Sequence, residues 1–333
     1  MRLFSTCPPS SAFPKGYRQR LAETATWSER AGCEGMLVYT DNSLLDAWLV
    51  SQLVLEATEA LSPLVAVQPI YLHPYAVAKM VGSLTRLHGR PVHLNLVSGG
   101  FRNDLLALGD ETPHDRRYDR LIEYATIVQG LLDGGGPVSL EGDFYRVDKL
   151  RLTPAVPPEL RGDVFVSGSS EAGLGAARAL GALAVRYPRP AEEEEGYPSD
   201  GVRTGIRVGI VTRDGEEEAW RVAHERFPGD RRGQLTHQLA MKVSDSVWHR
   251  QLSETAEQAD GGPYWLFPFE NYKTMCPYLV GSYRRVGEEL GRYLDLGAQA
   301  FILDVPPSEE ELWHTREAFA ASAEATATAE AAP

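Results

Sequence analysis

Short apolar runs recur along this chain at intervals that leave room for one helix between each pair. Eight stand out, at residues 2–6, 36–40, 64–68, 92–97, 164–167, 183–186, 205–212 and 298–304. Most are continuously apolar rather than alternating, the pattern of strands covered on both faces. Between them apolar residues return at helical spacing, at 17–31, 46–60, 75–87, 118–132, 171–180, 216–226 and 308–321. Strands alternating with helices build a parallel sheet, and eight such units predict a closed (β/α)8 barrel of the TIM type in one domain, residues 1–321. The functional site of such a barrel lies at the C-terminal ends of its strands.

Two segments break the pattern. Residues 134–152 alternate apolar and polar positions around Gly142-Asp143, which predicts a β-hairpin inserted before the fifth strand. Residues 227–280 are polar at first, helical around 235–259 and then aromatic (PYWLFPFENY). An insertion of that length is either a lid over the barrel mouth or an accessory helix capping it. Residues 322–333 (SAEATATAEAAP) read as a disordered low-complexity tail.

Composition narrows the class. The chain has 333 residues, 43% of them hydrophobic, enough for a large core. A net charge of −13 argues against a sequence-independent grip on nucleic acid. Cys7, Cys33 and Cys276 stand far apart in no metal-ligand spacing, so no metal site is expected, and so sparse a set suits the reducing cytoplasm. The first ten residues read as a strand and prolines, not as a secretory signal. No apolar run approaches the roughly 18 residues that a membrane helix needs.

Candidate chemistry gathers at strand ends. The fifth strand runs into Gly168, Ser169 and Ser170 and then a helix. Hydroxyls and free N–H groups at a helix N-terminus suit a phosphate, although serines there also serve as simple caps. The fourth strand ends in Asn95 and Ser98, and His114 and Tyr118, four apart, share one helical face. Together they suggest a phosphorylated cofactor held across neighbouring strand ends. Arg207, inside the apolar strand GIRVGIVT, must meet either a buried carboxylate or a ligand anion. His93 reads as a core residue and His73 as a candidate to face the site. Asp46 reads as a helix cap and Trp48 as core. The clusters Arg116, Arg117, Arg120, then Arg231, Arg232, then Arg284, Arg285 read as solvated faces.

Six blocks in order carry a resemblance: AGCEGMLVYTDNSLLDAWLV, LNLVSGG, HDRRYDRLIEYATIVQGLL, VFVSGSSEAG, GIRVGIVTRDGEEEAW and LVGSYRRVGEELGRYLDLGAQAFILD. They resemble the flavin-dependent luciferase-like monooxygenases, closest to the alkanesulfonate monooxygenase branch. The resemblance implies FMN, delivered as FMNH2 by an NAD(P)H-dependent flavin reductase, and O2 as co-substrate, activated as a C4a-peroxyflavin. It implies phosphate contacts at Ser169 and Ser170, flavin contacts at His114, Tyr118, Asn95, Ser98 and Thr40, and a homo-oligomer. Arg207 would be the catalytic-site cation, holding a substrate anion or the activated oxygen. The sulfonate enzymes carry a cysteine, a histidine, an arginine and a tyrosine where this chain has Leu44, Gly209, Tyr272 and Pro306. Sulfonate chemistry is therefore not expected.

Three further blocks, QPIYLHPYAVAKM, LNLVSGGFRNDL and TPHDRRYDRLIEY, are similar to the carrier-protein monooxygenases of antibiotic biosynthesis. That implies hydroxylation of a small or carrier-tethered aminoacyl substrate, with an acyl carrier protein as partner. Arg116, Arg117, Arg231 and Arg232 are the candidates for meeting that acidic partner. The rival readings are alkanesulfonate desulfonation or another flavin oxidation of a free small molecule, a flavin-binding subunit without catalysis, and the deazaflavin F420 in place of FMN.

Overall fold

The computed structural model describes the whole chain except residues 195, 198–200, 244–249, 254–261 and 331–333. Eight strands close a parallel ring: β1 (Arg2–Thr6), β2 (Gly35–Val38), β3 (Ser62–Val67), β4 (His93–Val97), β7 (Val164–Ser167), β8 (Leu183–Arg186), β9 (Thr204–Arg213) and β12 (Ala298–Leu303). β8 pairs with β9, β9 with β12, and β12 with β1. These are the eight runs read from the sequence. Helices α1 (Tyr17–Arg30), α2 (Ala47–Ala57), α3 (Pro74–His88), α5 (His114–Asp133), α6 (Glu171–Ala179) and α7 (Glu216–Arg226) cover the outside, and a short α4 (Arg102–Ala107) precedes α5.

Continuous apolar strands pay off on both faces. Phe4, Leu37, Leu64, Phe165, Leu183, Val185, Ala300 and Ile302 fill the barrel interior, while Met36, Val65, Leu94 and Val166 meet the helices outside. Between α5 and β7 the strands β5 (Val138–Glu141) and β6 (Arg146–Leu150) pair antiparallel. The Glu123 carboxylate on α5 accepts the N–H groups of Asp143, Phe144 and Tyr145 at 2.8, 2.9 and 3.0 Å, which pins that hairpin's turn.

One strand escapes sequence reasoning. β11 (Tyr278–Ser282) runs parallel to the upper half of β9, residues 209–213, and a two-residue β10 (Tyr264–Trp265) flanks it. Within residues 227–280 the helix α8 (Arg231–Val243) forms, whereas 244–249 and 254–259 of the expected helical stretch lie outside the described residues. The final helix, Glu309–Glu330, carries on through residues 322–330, where composition predicts a disordered tail. Alanine and glutamate there are strong helix formers.

At the N-terminal floor of the barrel, Glu34, His93 and Asp163 come together around the Arg2 guanidinium. His93 is a core residue, as the sequence suggests: Nδ1 accepts the Asp163 N–H at 3.0 Å, and the ring packs edge-on against Phe4 and Phe165. Burial first, and Arg2 second, lower its pKa to about 4. Between that value and about 6.5 the unfolded chain binds the proton that folded His93 refuses. The contribution to stability is whole above about pH 6.5 and is lost as pH falls toward 4, a span of about 3 kcal/mol. Urea titrations at pH 7 and pH 5 should show about 2 kcal/mol of that loss, and His93→Gln should flatten the difference.

Candidate active site

The strands' C-terminal ends surround a cleft of about 310 Å³. Eight of the nine residues offered from sequence as facing the site line it: Thr40, Asn95, Ser98, His114, Tyr118, Ser169, Ser170 and Arg207. The wall beneath α6 is built tightly. Ser167 Oγ, at the end of β7, donates to Asn95 Oδ1 of the neighbouring β4 at 2.9 Å. The chain then turns through Gly168, where a Cβ would lie 2.4 Å from Tyr118 Oη. Glycine is required there because α5 presses the phenol against the turn. Ser170 caps α6, its Oγ accepting the Gly173 N–H at 3.1 Å. Ser169 Oγ is buried and has no hydrogen-bond partner among the described residues.

A buried hydroxyl without a partner costs free energy unless something else satisfies it. Beside the N-terminus of a nine-residue helix, an anion would supply that partner and suit the dipole. The residues present therefore fit a phosphate-bearing cofactor. His114 holds its Nδ1 against Asp115 Oδ1 at 2.7 Å, which leaves Nε2 for the cleft, and its ring stands edge-on to Tyr118 at 5.4 Å.

Arg207 meets a buried carboxylate, the first of the two alternatives that its place in a strand left open. One of its terminal nitrogens lies 3.8 Å from Asp304, another donates to Tyr187 Oη at 3.4 Å, and the side chain still reaches the cleft wall. Asp304 in turn accepts the Tyr278 hydroxyl at 2.8 Å. Burial alone would ease the proton off Arg207, but Tyr187, Cys276 and Asp304 outweigh it and hold the charge more firmly than usual.

Other wall residues were not singled out in advance, Tyr39, Asp41, Gln68, Tyr71 and Asp104, and Tyr272 entered only as the residue standing where the sulfonate branch has an arginine. Gln68 ends the third predicted strand, so the rule that found Asn95 could have found it. Tyr272 lies in the aromatic insertion and takes a left-handed backbone, φ 55°, uncommon outside glycine and met at functional sites.

Several expectations need correcting. His73 does not face the cleft: its Nδ1 caps α3, accepting the Tyr75 N–H at 3.2 Å. Arg117 and Arg120 are buried, not solvated, and Arg120 pairs with Asp110 at 2.7 Å. Arg116 is held by Asp119 and Asp143, both at 2.8 Å. Of the four arginines considered for an acidic partner, only Arg231 and Arg232 are exposed and form no ion pair among the described residues. Asp46 caps α2 and Trp48 is core, both as expected.

The luciferase-like monooxygenase family model matches residues 1–300. The chain belongs to this family. It is accordingly an oxidoreductase of a flavin-dependent class. It is 34% identical over 309 residues, 90% of each chain, to the 4-(gamma-L-glutamylamino)butanoyl-[BtrI acyl-carrier protein] monooxygenase BtrO of Niallia circulans. Two solved structures share the fold. EDTA monooxygenase (EmoA) from Chelativorans sp. BNC1 superposes with a TM-score of 0.74 at 16% identity, covering 97% of this chain and 94% of that one. Riboflavin lyase (RcaE), solved with modified FMN and riboflavin, gives 0.67 at 15% identity, covering 100% and 92%. Among the described residues, no helix of this luciferase-like monooxygenase is long and apolar enough to cross a membrane.

Proposed function

We propose that the chain is a reduced-FMN-dependent, two-component monooxygenase that hydroxylates an aminoacyl substrate, small or tethered to an acyl carrier protein, in specialised metabolism. The observation that carries this reading is the likeness to BtrO over 90% of both chains, with an intact cleft at its centre. An NAD(P)H-dependent flavin reductase supplies the reduced cofactor, and the chain works as a homo-oligomer.

Ser169, Ser170 and the free N–H groups opening α6 hold the FMN phosphate. His114 Nε2 and the Tyr118 phenol orient the cofactor, and Asn95, Ser98 and Thr40 meet its polar edge at the strand ends. Bound reduced flavin supplies the electrons that activate O2. The chain's own task is to position and to exclude: Tyr272 and Met275, from residues 227–280, close the wall against water. Arg207, anchored by Asp304, holds an anionic group of the substrate. Arg231 and Arg232, exposed at the start of α8, offer positive charge to an acidic carrier protein.

The decisive assay supplies FMN, a flavin reductase, NADH and an aminoacyl-loaded carrier protein, and reads the carrier by intact mass spectrometry. A gain of one oxygen atom is expected. Sulfite release from an alkanesulfonate, with the aminoacyl carrier unchanged, would overturn the reading.

A further inference from the structure

We propose that the cleft wall formed by Asp41, Asp104, Tyr39, Tyr71 and Tyr272 is a subsite for the substrate's ammonium group. This rests on the reading of the substrate as an aminoacyl chain and assigns the residues that recognise its amine.

The cleft's charge is uneven. Among its lining residues the charged or titratable acids and bases are Asp41, Asp104, His114 and Arg207. Arg207 is matched by Asp304 at 3.8 Å, and His114 by Asp115 at 2.7 Å. Asp41 and Asp104 have no cationic partner among the described residues. The charge left over in the cleft is therefore negative, and a cation is the ligand that would balance it.

Local geometry presents that charge. Asp41 Oδ1 is taken by the Ser43 N–H at 2.8 Å and the Ser43 hydroxyl at 2.5 Å, which leaves Oδ2 free. Tyr71 donates its hydroxyl proton to Asn42 Oδ1 at 2.7 Å, so its oxygen lone pairs remain open to a donor. Tyr71 and Tyr272 feel the Asp41 charge: burial first, and then Asp41, raises each phenol's pKa, with Asp104 adding to the effect at Tyr71. A carboxylate that shares a cleft wall with phenols suits an ammonium ion, which gains from the charge and from aromatic neighbours.

The test is titration calorimetry on the FMN-loaded protein with two probes: the 4-aminobutanoyl thioester of N-acetylcysteamine, and the same thioester N-acetylated on its amine. The free amine should bind at least about tenfold more tightly. Asp41→Asn keeps the oxygen that Ser43 needs but loses the charge, so it should erase that preference, and Asp104→Asn should shrink it. Equal binding of both probes by the native protein, binding of neither, or an unchanged preference in Asp41→Asn would each overturn the subsite. If the preference holds but the carrier assay shows no oxygen gain, the functional reading fails and the ammonium subsite stands.

Discussion

Ser170→Asp is expected to abolish the grip on FMN while leaving the fold intact. Aspartate caps a helix as well as serine does, so the N–H of Gly173 keeps its acceptor and the melting temperature should hold. The new carboxylate, however, sits where the cofactor's phosphate is proposed to bind. Two negative charges about 4 Å apart repel by about 4 kcal/mol at the dielectric of a protein surface, enough to weaken binding at least about hundredfold. Riboflavin has no phosphate, so its affinity should stay at the native value. Fluorescence titration with both flavins separates the outcomes. A native FMN affinity in the variant would move the phosphate away from α6, and an equal loss for both flavins would mean general damage to the cleft. Ser170→Glu should repel the phosphate too but give up part of the cap.

The barrel was largely legible because its strands are covered on both faces. β7 and β8 begin and end where their apolar runs do, and β9 extends its run by one residue at each end. β11 was not legible, because YLVGS is short, lies beyond an aromatic insertion and exists as a strand only by pairing with the upper half of β9. α5 starts at His114, not Tyr118, because Pro113 sets up the first turn and the apolar pattern begins only after it. Arg117 and Arg120 misled for a related reason. Residue type suggests solvent, but the helical period puts them on one face with Leu121 and Tyr124, and that face is buried. The same contrast holds in the cleft. Ser169 and Ser170 could be found because strand, glycine, serines and helix are local in sequence. Asp41, Tyr71 and Tyr272 come from three separate loops and meet only when the ring closes.

Gly209→His, the change that would most resemble the sulfonate-cleaving branch, is expected to damage the barrel without conferring that chemistry. A Cβ at residue 209 would meet three carbons of the Tyr278 ring at 2.2, 2.3 and 2.5 Å. The ring has nowhere to go. It is 4% exposed, stands edge-on to Phe227 at 4.9 Å, and its hydroxyl holds Asp304, which holds Arg207. Forcing a side chain in therefore costs about 3 kcal/mol, the upper end of overpacking, and should lower the melting temperature by about 5 °C or more. Because the collision begins at Cβ, Gly209→Ala should already show most of the loss, and a native melting temperature in that variant would refute the packing argument. Adding Tyr278→Ala makes room for the imidazole and should recover part of the stability. It also strips Asp304 of its hydroxyl donor, so the carboxylate that anchors Arg207 is held less firmly, and sulfite release should still be absent. The glycine at 209 and the tyrosine at 278 thus form one unit. It leaves no room for a histidine at residue 209, one of the four positions where the resemblance implies that the sulfonate branch differs.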